Sequence, residues 1–171
     1  MTWPTDHRPF AQSQWATSRR QFLAIAIVAL MATAALAASS FDALLGVWSG
    51  SGQIKYHDGR SEPVRCSAYY TGGGDRLRLA IRCRSTSNDI EIRGQLTARG
   101  DNIIGTWEER TFNVSGEASG RVAANRITLA VTGGGFSGWM SVSLGGSRQV
   151  VAISAEGIPM TSVSISMIRG G

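Results

Sequence analysis

Val64-Arg65-Cys66-Ser67-Ala68-Tyr69-Tyr70, then Thr71-Gly72-Gly73-Gly74-Asp75, then Arg76-Leu77-Arg78-Leu79-Ala80-Ile81-Arg82-Cys83, is the stretch that decides the fold. Apolar and polar residues alternate on both sides of a glycine-rich centre, which is the period of a half-buried strand. Clustered glycines followed by aspartate supply the positive φ angles of a tight hairpin. Centring the hairpin on Gly74 and Asp75 makes paired positions sum to 149, so that Cys66 faces Cys83. Val64, Cys66, Ala68 and Tyr70 then share one face with Leu77, Leu79, Ile81 and Cys83. Directly opposed cysteines on adjacent strands sit at about disulfide separation, above all in a non-hydrogen-bonded pair. A Cys66–Cys83 disulfide is therefore expected, with two free buried thiols as the alternative. No metal site is expected, because two cysteines without a neighbouring histidine are too few ligands.

The next hairpin tests the same register. Centring on Thr86 and Ser87 makes pairs sum to 173, placing Arg84 opposite Asp89 and Arg82 opposite Glu91. Ile90, Ile92 and Leu96 join the apolar face, so charge complementarity and burial agree. Working outward, strands are expected near 46–56, 62–71, 76–84, 89–97, 102–110, 115–122, 125–132, 136–144, 148–155 and 161–169. Their separators include His57-Asp58-Gly59-Arg60, Gly72-Gly73-Gly74-Asp75, Arg99-Gly100-Asp101, Gly133-Gly134-Gly135 and Gly145-Gly146, and no stretch after position 40 keeps a helical period. The chain has 171 residues, 43% hydrophobic and 17% charged, which is room for one domain and excludes a disordered charged tail. The predicted fold is an all-β, antiparallel up-and-down barrel of about 8–10 strands with one disulfide, over residues 38–171.

Residues 1–37 read as an export signal peptide. A polar start ends in Ser18-Arg19-Arg20, an alanine-rich apolar run follows from Phe22, and Ala35-Leu36-Ala37 is a small-x-small cleavage site. The run is shorter than the roughly 20 residues that span a bilayer, so cleavage is expected, an uncleaved anchor being the alternative. Ser18-Arg19-Arg20-Gln21-Phe22-Leu23 resembles the twin-arginine export motif, with an ordinary secretory signal as the other reading. A periplasmic location follows, with no membrane span left after cleavage. Cleavage after Ala37 leaves 14 basic and 11 acidic residues, a net +3 that does not require a nucleic-acid partner.

No cluster of reactive side chains stands out, and an enzyme is not expected. His57 is the one histidine after residue 37 and lies in a turn. Glu108 and Glu109 are adjacent, so their side chains leave a strand on opposite faces, and Arg110 beside them suggests a surface role. Arg65, Arg76, Arg78, Arg82, Arg84 and Arg93 share an outward face, read as a solvated surface with cross-strand ion pairs rather than a phosphate site. Trp139 alternates with Phe136, Gly138, Met140 and Val142 and is placed outside, whereas Trp107 and Trp48 are expected to bury their rings at the barrel ends.

Leu45-Gly46-Val47-Trp48-Ser49-Gly50-Ser51-Gly52 resembles the first strand of calycin-type barrels, the lipocalin and nitrobindin relatives. The resemblance implies that Gly46 and Trp48 open the barrel and that a basic residue of the final strand, here Arg169, packs across the indole. The Thr-Asp-Tyr step of lipocalins is absent, and the haem that a nitrobindin-like reading implies has no interior histidine to hold it. No cofactor is expected. The chain after the leader also resembles small exported bacterial proteins, a likeness that carries no activity with it.

The expected lining is Val64, Ala68, Tyr70, Leu77, Leu79, Ile81, Ile90, Ile92, Leu96, Ile127, Leu129, Val131, Val163, Ile165 and Met167. It is uncharged, so a small apolar or amphipathic ligand is the first expectation, contacting Tyr70, Leu79, Ile81, Ile92, Trp107, Leu129 and Met167. The alternative is a filled barrel whose arginine- and serine-bearing outer faces contact an envelope component, Ser162, Ser164 and Ser166 among them.

Overall fold

The structure is a computed structural model and describes residues 41–170. The expected leader lies outside the described residues. A 3-10 turn, Asp42–Leu44, leads into ten strands: β1 (Gly46–Tyr56), β2 (Ser61–Gly73), β3 (Arg76–Arg84), β4 (Asp89–Arg99), β5 (Asn102–Glu109), β6 (Val114–Ala123), β7 (Arg126–Gly133), β8 (Phe136–Gly145), β9 (Arg148–Glu156) and β10 (Met160–Arg169). Each strand pairs antiparallel with its chain neighbours, and β1 pairs with β10, closing the barrel. Closure leaves no exposed sheet edge.

The two register tests come out as expected. Cys66 lies opposite Cys83, with Cα atoms 4.1 Å apart and the sulfurs bonded. That separation belongs to a non-hydrogen-bonded pair. Arg84 lies opposite Asp89 and Arg82 opposite Glu91. The Arg84–Asp89 ion pair runs straight across as expected, whereas Arg82 also reaches Asp89 and leaves Glu91 to Arg93 and Arg110. Long guanidinium side chains on a twisted sheet reach diagonal neighbours as readily as direct ones.

β1 follows the closing strand very closely. A Cβ at Gly50 or Gly52 would collide with the carbonyl oxygens of Ser166 and Ser164 on β10. Glycine is required there by the approach of two backbones, as at other tight bends of a closed sheet. Ser164 and Ser166 themselves face outward and are exposed, and Ser162 is half-buried.

One end of the barrel carries the β2–β3, β4–β5, β6–β7 and β8–β9 turns and the start of β1. Here Phe41 and Leu44 fold under the rim, and Trp48 is fully buried. The Trp48 indole N–H donates to the Leu44 carbonyl at 2.7 Å, the Arg169 guanidinium lies 4.8 Å from the ring centroid, and Arg169 also donates to the Ala43 carbonyl. A buried indole with its N–H satisfied and a cation on its face makes a plug. The plug joins residues more than a hundred positions apart.

Candidate functional site: an apolar mouth opposite a plugged floor

The inward side chains differ between the two ends. On the plugged side Tyr70, Leu77, Leu96, Ile103, Leu129 and Met167 are all buried. Toward the other end Leu79, Ile81, Ile92, Trp107, Val131 and Ile153 are only partly buried, although they lie on the same inward face. The seven residues expected to contact a ligand therefore divide. Tyr70, Leu129 and Met167 belong to the packed floor, while Leu79, Ile81, Ile92 and Trp107 lie toward the mouth.

Local pairing explains the setting of Trp107. Its direct neighbours across the sheet are Gly94 on β4 and Gly116 on β6. With no side chain on either flank, the indole lies over Gly116, donates to the Glu117 carbonyl at 3.2 Å and meets the Phe136 ring at 5.4 Å between centroids. Phe136, Met140 and Ile153 extend the partly buried apolar lining, and they were not singled out as ligand contacts from the sequence. The signal was present in the alternation of β8 and β9. The cross-strand neighbours of Trp107 could be found only by extending the register argument two hairpins further.

Two polar groups enter the interior without an obvious sequence signal. Gln149, the first inward residue of β9, is fully buried; its amide nitrogen lies 3.1 Å from the Met167 sulfur, and its Oε1 has no hydrogen-bond partner among the described residues. It adjoins Tyr70, whose phenol is pushed up by burial, with the hydrogen-bonding contact to Gln149 acting the other way. Glu109 does not take the surface role suggested from its neighbour Arg110. It turns inward and is 8% exposed. Its Oε1 accepts from the Glu91 and Thr111 amides at 2.9 and 3.0 Å, and its Oε2 from the Phe112 amide at 2.6 Å. Burial alone pushes this carboxyl up; the three amides outweigh it and hold the group below its usual range. The carboxylate thereby fixes the β5–β6 turn at the mouth, and with it the exposed Phe112 ring. Glu108 faces out, as strand geometry requires.

A second carboxylate ties down another part of the mouth rim. Glu62 accepts from Ser85, Tyr56, Ser87 and Asn88, joining the β1–β2 hairpin to the β3–β4 turn. Hydrogen bonding by Ser85 and then Tyr56 lowers its carboxyl to about 2. The same contact with Glu62 raises the Tyr56 phenol. His57 lies in the β1–β2 turn, exposed, and its backbone amide donates to the Pro159 carbonyl. Among the described residues no cluster of three or more His, Cys, Asp or Glu is placed to hold a metal.

Two concavities stand out, one at the plugged end and one along the wall. A groove of about 860 Å³ at the plugged rim is lined by the inward apolar Val122, Ile127 and Leu144 and by the charged Asp42, Asp101, Arg126 and Arg169. A shallower one of about 680 Å³ runs along the wall over Arg78, Arg93, Glu108 and Trp107. Both carry charges of either sign, which does not suit a simple anion. No helix among the described residues is long and apolar enough to cross a membrane.

No protein-family model and no curated protein matches the chain. A solved structure does: the crystal structure of Rv2717c from M. tuberculosis superposes with a TM-score of 0.65 at 15% identity, covering 77% of this chain and 96% of that one. At that identity the likeness is one of fold, and the chain is similar to that protein as a β-barrel.

Proposed function

We propose that this is an exported, periplasmic barrel that binds a small apolar or amphipathic molecule through its unplugged mouth. The observation that carries the reading is the partial burial of the inward apolar side chains Ile81, Ile92, Trp107, Val131 and Ile153 toward the mouth, beside the buried Val64 and Val163 of the same end. Apolar side chains held part-exposed on one inward face are what a ligand of that class would cover. The disulfide fits an oxidising compartment. The resemblance of the first strand to calycin barrels supports the same reading, without the haem.

Native mass spectrometry of protein purified from the periplasm tests it. A co-purifying mass of lipid size is expected, and Ile92→Asp, with its fold checked by near-ultraviolet circular dichroism, should lose it. A clean apo mass that does not shift on adding fatty acids or phospholipids refutes ligand carriage. The second reading, a filled barrel that contacts envelope partners through its outer wall, would then stand. It is favoured by Trp139, which points outward and is 62% exposed.

A further inference from the structure

Charge is segregated along the barrel axis. The plugged rim holds Arg76, Arg99, Arg126, Arg148 and Arg169 at its strand ends, and Arg121 opposite Asn102, against Asp42, Asp75 and Asp101. Six against three leaves a surplus of three. The rest of residues 38–171 carries eight basic and eight acidic groups, so the whole net charge of the domain sits at this end. Every ion pair among the described residues lies elsewhere: Arg60 with Asp58, Arg82 and Arg84 with Asp89, Arg93 and Arg110 with Glu91. The rim arginines are exposed and have no carboxylate partner among the described residues.

The rim is also stiff. The carbonyls of Asp75, Asp101, Asn125 and Ser147, one in each turn, accept from Ala98, Val122, Leu144 and Arg169 at 2.8 Å, lacing each hairpin to the next. Apolar side chains gather just below it on the outer wall. Five of the seven exposed large hydrophobics, Val47, Tyr69, Ile104, Val150 and Ile168, belong to this end and are 39% to 58% exposed. Four of them are neighbours across β2, β1, β10 and β9: Tyr69 is opposite Val47, Ile168 is diagonal to Val47 and to Val150, and Arg148 is opposite Ile168.

We propose that the plugged end docks on a membrane surface, its arginines on anionic phospholipid headgroups and the Tyr69–Val47–Ile168–Val150 stripe at the acyl boundary. Cations held in a ring next to an apolar stripe with a tyrosine match the two layers of an anionic bilayer interface. A polyanion such as a nucleic acid would use the arginines but leave the stripe uncovered. Docked this way, the barrel turns its mouth to the aqueous side. The inference is independent of whether the mouth holds a ligand.

The test is co-sedimentation of the purified protein with vesicles of phosphatidylcholine alone and with phosphatidylglycerol added, read as the ratio of the two. An apolar leader retained in the chain would bind both and leave the ratio unmoved. The double variant Arg126→Gln, Arg148→Gln should lose about tenfold to thirtyfold in partitioning to the anionic vesicles, the effect of two arginines near such a surface. The control Lys55→Gln, Arg65→Gln changes the net charge equally toward the mouth end of β1 and β2 and should stay within about twofold of wild type, since charges away from the contact are screened. Tyr69→Ser with Ile168→Ser should weaken the binding that survives at high salt. Equal binding to both vesicles, equal loss in the control pair, or binding to dextran sulfate or DNA as tight as to vesicles and indifferent to Tyr69 and Ile168 would each overturn the proposal.

Discussion

Replacing Glu109 by Gln probes the buried carboxylate that holds the mouth turn. In the wild type one oxygen accepts two amides and the other accepts one. A glutamine can keep its oxygen toward the Glu91 and Thr111 amides, but its NH₂ then meets the Phe112 amide donor to donor. Two bonds lose charge assistance, worth about 1 kcal/mol each, and the third is lost at about 1.5–3 kcal/mol. Water reaching the exposed turn and the cheaper burial of a neutral amide recover part of this. The expected net loss is about 2–3 kcal/mol at pH 7, a fall in urea midpoint of about 1 M for an m-value of about 2 kcal/mol/M. The sign of the pH dependence follows from a folded carboxyl held below its unfolded value of 4.5. That contribution is complete above the unfolded value and is lost as pH falls through the lower folded one. The gap between wild type and E109Q should therefore be widest at neutral pH and close in acid. Urea curves at pH 7 and pH 3 measure both, and hydrogen exchange at Thr111 and Phe112 localises the effect. A variant within about 0.5 kcal/mol of wild type at pH 7, or a gap that widens in acid, would refute the assignment of Glu109 as the anchor of this turn.

Removing the disulfide with Cys66→Ala and Cys83→Ala should cost about 3 kcal/mol in the oxidised protein, the chain-entropy value for a closed loop of roughly this size; the two positions are 17 apart, and denaturant curves with and without reductant read the difference. Ala124 holds a left-handed φ of 51° in the β6–β7 turn, so Ala124→Gly should raise stability by about 0.5–1 kcal/mol, seen as a higher melting temperature. Glu62, with its carboxyl near 2, should still be ionised at pH 3 in a carbon-detected titration, and Ser85→Ala should move its midpoint toward the ordinary glutamate range; a midpoint near 4.5 in the wild type would mean that the four-donor cradle is not formed.

Much of the fold can be read hairpin by hairpin. The ten expected strands match those observed to within two residues at each end, because every turn is short and every strand alternates. The facing of Cys66 and Cys83, the split of Tyr69 and Tyr70 to opposite faces and the outward turn of Trp139 all follow from one local rule, a period of two. The candidate site was legible only as a set of inward positions. Nothing along the chain separates Leu129 from Ile81, since both obey the same alternation, yet one lies in the floor and the other toward the mouth.

What the amino-acid order determines unaided is each pairwise alignment, because turn geometry and the two-residue alternation act over distances of a few residues. Only the closed structure decides which end is stopped, brings Arg169 onto the Trp48 ring that the resemblance assigned to it, and collects the unpaired arginines around one rim. Those outcomes depend on the shear and closure of ten strands taken together. They bring distant residues to one level of the barrel, and no local pattern carries that height.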